Sequence, residues 1–206
     1  MSICIIDYGL GNLASIRNMI RKAGGKSEIS SDPTVIAAAE KLILPGVGHF
    51  AAGMENILKS GLLPVLHEAV LERKTPILGI CLGMQLMAGH SEEGDVAGLG
   101  WFDADIIRFR QEDMGNLKVP HMGWNEVKPA KAHALFPNVD EPERFYFVHS
   151  YHIRCNNPED VLATAHYGYD FTCAVSRKNI AGMQFHPEKS HRFGMGMMER
   201  FIQWQP

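Results

Sequence analysis

Apolar positions along the first half of this chain come in short runs that alternate with stretches of helical spacing. Ser2–Tyr8 is an apolar run ending at Gly9, after which Leu13, Ile16, Ile20 and Ala23 recur at helical spacing until Gly24-Gly25 stops them. That is a strand followed by a helix. A strand over Lys26–Ser30, a short helix from the Asp32-Pro33 cap through Ala39, and a strand over Lys41–Leu44 repeat the unit. Helices over Ala52–Lys59 and Pro64–Arg73 then lead to a strand over Thr75–Ile80. Crossovers of this kind join parallel strands, so the pattern predicts a doubly wound α/β sheet covered by helices, with ligands collecting at strand C-terminal ends. Leu44-Pro45-Gly46-Val47-Gly48 and Ile80-Cys81-Leu82-Gly83 both fall at such ends, which places two glycine-rich turns over one pocket.

From about Trp101 the pattern shortens into mixed strands at Asp105–Arg110, Glu126–Lys128, Arg144–Val148, Val161–Ala165, Thr172–Ser176 and Ile180–Gln184, some of which should pair antiparallel. Gly94–Gly100, Gln111–Asn116 and Asp140–Glu143 read as exposed loops, none long enough to link domains. In the tail, Phe193, Met197, Phe201 and Trp204 share one helical face with Met198 and Ile202 beside it, the pattern of a helix packed on the sheet. A chain of 206 residues with 46% hydrophobic content fits one domain over 1–206.

Charge and cysteine usage narrow the function. The formal charge is −3 and no basic cluster exceeds Arg21-Lys22 or Glu72-Arg73-Lys74, which argues against nucleic acid. Cys4, Cys81, Cys155 and Cys173 show no CxxC spacing, which suits neither a disulfide framework nor a zinc site and implies a reducing cytoplasm. No run reaches the ~18 apolar residues of a membrane span, so no membrane association is expected.

The chemistry concentrates at two places. Pro76–Ile80 is a buried-strand pattern that breaks at Cys81, a cysteine between Gly79 and Gly83, and the next segment turns helical. Leaving the strand abruptly lifts the thiol above the sheet and aims backbone N–H groups at it, which favours a thiolate. Far down the chain, His186-Pro187-Glu188 supplies an imidazole and a carboxylate. Together they form a nucleophile, a proton shuttle and an orienting acid. Alternation along an extended segment would put residues 186 and 188 on one side, with Pro187 stiffening the link. Oxyanion donors would be the backbone N–H groups of Leu82 and Val47, with Gly46 letting the Val47 peptide rotate. Cys4 and Cys173 read as inert packing. A metal is not expected: His186 and Glu188 lack a third ligand nearby, and His149 and His152 are too close in sequence to face one pocket on one strand.

Asp7-Tyr8-Gly9-Leu10-Gly11-Asn12-Leu13, Pro45-Gly46-Val47-Gly48, Val119-Pro120-His121-Met122-Gly123-Trp124-Asn125 and Phe145-Tyr146-Phe147-Val148-His149-Ser150-Tyr151 stand in order along nearly the whole chain. With the Cys81 and His186 segments they resemble the class I (triad) glutamine amidotransferase family, and within it the histidine-pathway branch. The resemblance implies a flavodoxin-like sheet and a catalytic triad of Cys81, His186 and Glu188. It implies that Gln85 and Glu93 hold the amino-acid end of a glutamine substrate. It further implies that backbone at His149, Ser150 and Tyr151 binds the glutamine carboxylate, and that Pro45–Gly48 is an oxyanion strand whose peptide reorients for turnover.

The resemblance also implies a partner. Relatives dock on a cyclase subunit, a (β/α) barrel, as a heterodimer through the Pro120–Asn125 surface, and the matching contacts here are Trp124, Lys189 and Asn12. No cofactor is called for. Ammonia would pass to the cyclase, and the free subunit would be nearly inactive until the cyclase binds its ligand. Sibling members share most of these motifs and feed the amination of surface sugars in polysaccharide synthesis, which is the alternative acceptor; the methionine-rich His191–Met197 segment and His152 depart from the histidine-pathway pattern. A docking module without turnover would show an incomplete triad, and all three members are present.

Overall fold

The structure, a computed structural model, describes residues 2–137 and 143–206. Its first half alternates as the apolar pattern predicts: β1 (Ile3–Ile6), α1 (Leu13–Lys22), β2 (Ser27–Ser30), α2 (Pro33–Ala38), β3 (Lys41–Leu44), α3 (Phe50–Lys59), α4 (Leu63–His67) and β4 (Ile77–Ile80). The helix expected over Pro64–Arg73 is split into α4 and a π-helical turn at Glu68–Glu72. A one-turn helix, α5 (Leu82–Gln85), follows Cys81.

The second half holds β5 (His90–Ser91), β6 (Val96–Ala97), β7 (Ala104–Arg108), β8 (His121–Pro129), β9 (Glu143–His149), β10 (Tyr151–Cys155), β11 (Val161–Tyr167), β12 (Tyr169–Arg177), β13 (Ile180–Met183) and α6 (His191–Gln203). Three features differ from the sequence reading. The loop expected at Gly94–Gly100 contains β6, which pairs with β5. Strand β8 starts at His121, so the segment read as a docking motif is itself strand, held by a seven-pair register with β9. Strand β10 had no apolar signature because His152 and Arg154 interrupt it; its five-pair register with β7 supplies the order instead. Of the loop expected at Asp140–Glu143, residues 140–142 lie outside the described residues, and Glu143 begins β9.

One sheet runs in the order β2-β1-β3-β4-β13-β12-β10-β7-β5-β6. The pairs from β2 to β13 are parallel, and those from β13 through β12 and β10 to β7 are antiparallel. Strand β11 pairs with both β12 and β8, which carries β8 and β9 alongside the main sheet. The class is therefore the expected mostly parallel α/β sheet with antiparallel additions.

Two cores sit on opposite faces. Ile3, Ile5 and Ile43 pack with Met197, Met198 and Phe201, whereas Cys4, Ile6, Leu42 and Leu44 pack with Phe50, Ile57 and Leu66. Strict alternation along strands buried on both sides leaves every position of β1, β3, β4 and β13 buried. Lys41 is the exception in chemistry. Its side chain is buried, and Nζ donates to the carbonyls of Phe201 (2.9 Å), Ile202 (2.7 Å) and Trp204. An ammonium thus serves the carbonyls at and just beyond the end of α6, those of Ile202 and Trp204 and that of Phe201, which also accepts from the Trp204 N–H.

Lys41→Met strands those carbonyls in apolar surroundings. A loss of about 2 kcal/mol in urea unfolding, with an unchanged slope, is expected. An unchanged midpoint would show that water replaces the ammonium.

Candidate active site

Strand β4 ends at Ile80, and Cys81 takes φ 53° and ψ −113°. Positive φ is costly for a residue with a Cβ, so surrounding structure must hold it. Its N–H donates to the Met183 carbonyl on β13 (2.8 Å), and its own carbonyl accepts from Met84 and Gln85 (both 3.1 Å) to begin α5. The turn is possible only because Gly83 has no side chain: a Cβ there would lie 1.8 Å from the Leu44 carbonyl oxygen. The ends of β3 and β4 therefore meet, as the two glycine-rich turns require. Because α5 is a single turn, its dipole at the sulfur is small, and the display of the thiol is the larger effect.

Just beyond the end of β13, the strand beside β4, His186 Nδ1 and Glu188 Oε1 are 2.8 Å apart, with side chains 2% and 5% exposed. The reason differs from the sequence reading. Pro187–Lys189 is a 3₁₀ turn, not extended chain, and the turn folds the carboxylate back on the imidazole. A carboxylate fixes the proton on Nδ1, leaving Nε2 as the working nitrogen. Nε2 is buried with no hydrogen-bond partner of normal geometry, near enough to the Cys81 thiol to interact with it. Burial by itself lowers the His186 pKa; the Cys81 and Glu188 side chains outweigh burial and raise it to about 9.

A cavity of about 600 Å³ opens on this pair. Cys81, Leu82, Gln85, Glu93, His186 and Glu188 line it, together with Val47, Gly48, Val148, His149, Ser150, Tyr151, Asn12, Pro120 and Lys189. Gly46 sits just behind Val47: a Cβ on it would lie 2.3 Å from the Tyr8 hydroxyl, so close approach as well as rotation demands glycine. Tyr8 donates to the Pro45 carbonyl at 2.6 Å and so anchors that turn, a role its place beside Gly9 did not reveal.

The substrate-end candidates are present but already engaged. Glu93 Oε2 accepts from the Phe50 N–H at the start of α3 (2.7 Å), which commits half of the carboxylate to the helix. Gln85 Nε2 donates to the Tyr151 carbonyl (3.0 Å) and to Gln184 Oε1 (2.9 Å), leaving its own oxygen free. Both groups keep an acceptor for an ammonium.

Of the docking candidates, Trp124 is 40% exposed on β8, beside the more exposed Met122, and stacks on His191 with 14° between rings. Lys189 stands over the Tyr146 ring at 5.7 Å. Asn12 caps α1 by accepting from Ser15 N–H at 3.4 Å. His149 and His152 lie on different strands, and both pack on Phe109, so the spacing argument against a shared environment does not hold. Among the described residues no three His, Cys, Asp or Glu side chains cluster as a metal site.

A strained strand-end thiol beside a carboxylate-oriented imidazole, in a cavity with free acceptors, is equipment for acyl transfer from an amide. The chain belongs to the class-I glutamine amidotransferase family, whose model matches residues 4–204. It is 50% identical over 201 residues to imidazole glycerol phosphate synthase subunit HisH 2 of Pseudomonas aeruginosa, covering 98% of each chain. It is 52% identical over 200 residues to the subunit of the same name from Methanococcus maripaludis, covering 97% of this chain and 98% of that one. The matching chain of the Thermotoga maritima PurLQS structure shares the fold at 16% identity, with a TM-score of 0.76 over 98% of this chain and 97% of that one.

Iodoacetamide is expected to alkylate Cys81 first at neutral pH. Burial raises the Cys4 and Cys155 thiols to about 11 and 12 and Cys173 further still. Cys155 labelled ahead of Cys81 on peptide mapping would contradict the assignment. Because the His186 pKa is raised from 6.5 to about 9, its contribution to stability is complete below pH 6.5 and is lost as pH rises through about 9. Glu188→Gln is therefore expected to destabilise the chain by about 1–3 kcal/mol at pH 6 and by less at pH 10. A difference that grows with pH would refute the pairing.

Proposed function

We propose that the chain is a glutaminase subunit that hydrolyses glutamine and delivers ammonia to a cyclase subunit of imidazole glycerol phosphate synthase in histidine biosynthesis. One observation carries the chemistry: the thiol of Cys81, at positive φ, shares a cavity with an imidazole whose Nε2 is unpartnered and whose Nδ1 is held by Glu188.

The Cys81 thiolate attacks the side-chain carbonyl carbon of glutamine, and the negative oxygen is met by the N–H groups of Val47 and Leu82. His186 gives its proton to the departing nitrogen as the C–N bond breaks, releasing ammonia and leaving a γ-glutamyl thioester. Water then attacks the thioester carbon while His186 takes its proton, and collapse returns the thiolate and glutamate. Gln85 and Glu93 accept from the substrate ammonium, and backbone at His149–Tyr151 receives its carboxylate.

Trp124, Lys189 and Asn12 form the docking side of a heterodimer with a (β/α)-barrel cyclase. Ammonia in neutral water is mostly ammonium and a poor nucleophile, so passage through a docked partner preserves it. The assembly works in the cytoplasm, and among the described residues no helix is long and apolar enough to cross a membrane. A second reading has the same chemistry feeding a sugar-modifying synthase. The methionine-rich His191–Met197 segment and His152, which depart from the histidine-pathway pattern, favour it.

Glutamate release by the purified chain is expected to rise about a hundredfold or more when a histidine-pathway cyclase and its ribonucleotide ligand are added, the effect of completing one oxyanion donor. Cys81→Ala abolishes it. Stimulation by a surface-sugar synthase and not by the cyclase would move the acceptor; activity retained in Cys81→Ala would overturn the nucleophile.

A further inference from the structure

Behind the cavity wall lies a second buried polar cluster that the triad does not use. His121 on β8 and His149 on β9 are opposite each other in the register and are 2% and 6% exposed. His121 Nδ1 and His149 Nε2 are 3.0 Å apart, and His149 Nδ1 is 2.7 Å from the Tyr151 carbonyl oxygen. On the other side, His121 Nε2 is 3.3 Å from Asn125 Nδ2, which also donates to the His166 carbonyl at 2.8 Å.

These contacts admit one arrangement of protons. A carbonyl only accepts, so His149 carries its proton on Nδ1 and accepts at Nε2. His121 must then donate from Nδ1 and accept at Nε2 from the Asn125 amide. Both rings have to be neutral, and burial lowers His121 to about 4 and His149 well below the ordinary histidine value. The chain of donors continues beyond the rings. The Tyr151 carbonyl takes its second hydrogen bond from Gln85, whose other N–H goes to Gln184 Oε1; Gln184 Nε2 in turn donates to Cys81 Sγ at 3.7 Å.

Packing alone does not call for these nitrogens. The His121 ring lies against Phe147 and Tyr167, with centroids 4.8 and 4.1 Å away, where an apolar ring would pack equally well. Burying two imidazoles is favourable only when every donor and acceptor is matched, and here they are. We propose that His121 and Asn125 are positioning residues for the glutamine site: with His149 they form a one-directional hydrogen-bond chain that starts beneath the exposed Met122–Trp124 face and fixes the Tyr151 carbonyl, and through Gln85 and Gln184 the Cys81 thiol. This rests on the glutaminase reading, because the 149–151 backbone is where that reading seats the substrate carboxylate.

The test uses the full chain and needs no turnover. Protection of Cys81 from iodoacetamide is titrated with glutamine in the parent, in His121→Phe, which keeps the ring and removes both nitrogens, and in His121→Asn, whose amide nitrogen stands near the Nδ1 position. His121→Phe is expected to need about tenfold more glutamine for half-protection, the size of one lost hydrogen bond, and His121→Asn to return within about threefold of the parent. If His121→Phe does not fold, Asn125→Leu breaks the same chain at a partly exposed position and is expected to shift half-protection about threefold. Imidazole ¹⁵N spectra of the ligand-free parent are expected to show His149 protonated on Nδ1. Equal protection in the parent and the variants, or His149 protonated on Nε2, would overturn the positioning chain and leave the glutaminase reading standing. No protection of the parent by glutamine would instead overturn the glutaminase reading and the proposed positioning with it, while the ¹⁵N spectra would still decide the hydrogen-bond chain.

Discussion

Everything at this site depends on the contact between Gly83 and the Leu44 carbonyl. A backbone approach that leaves no room for a Cβ lets the chain turn sharply at the end of β4, and that turn holds Cys81 at positive φ. The same contact locks the end of β3, so that Pro45–Gly48 lies beside the thiol and Tyr8 can pin the Pro45 carbonyl. Strain at the nucleophile is tolerated because parallel strands on either side of β4 fix its ends.

The antiparallel half supplies what the parallel half lacks. Strand β13 runs parallel to β4 and delivers Gln184, His186 and Glu188 to the strand end where Cys81 stands. Pro120 and the junction of β9 with β10, Val148–Tyr151, wall the other side of the cavity, and β9 pairs with β8, which carries the exposed Met122 and Trp124. Cys81 and the strand that carries the exposed Met122 and Trp124 are thus joined through one run of hydrogen bonds, and a disturbance at the outer face has a physical route to the Tyr151 carbonyl.

Much of this was legible in the residues because each of its signals is local. Leu13, Ile16 and Ile20 mark α1 by spacing alone, and Cys81 announces itself by breaking an apolar run between glycines. His186 and Glu188 do meet, but through a 3₁₀ turn that Pro187 starts and not through the extended alternation that the sequence suggests. What stayed hidden depends on partners distant in sequence. Strand β10 exists because β7 pairs with it, although His152 and Arg154 break its pattern. Gln184 looks like a polar interruption until Gln85, ninety-nine residues away, is seen to bond it, and His121 looks like part of a surface motif until His149 meets its ring.

The central claim is that Cys81 carries the acyl group. Rapid quenching of the complex turning over glutamine, followed by mass spectrometry of the proteolysed chain, tests it directly. The account predicts a glutamyl adduct on the peptide containing Cys81, removed by hydroxylamine as a thioester would be. Glutamate released with no such adduct at the earliest times, or an adduct on another residue, would contradict it.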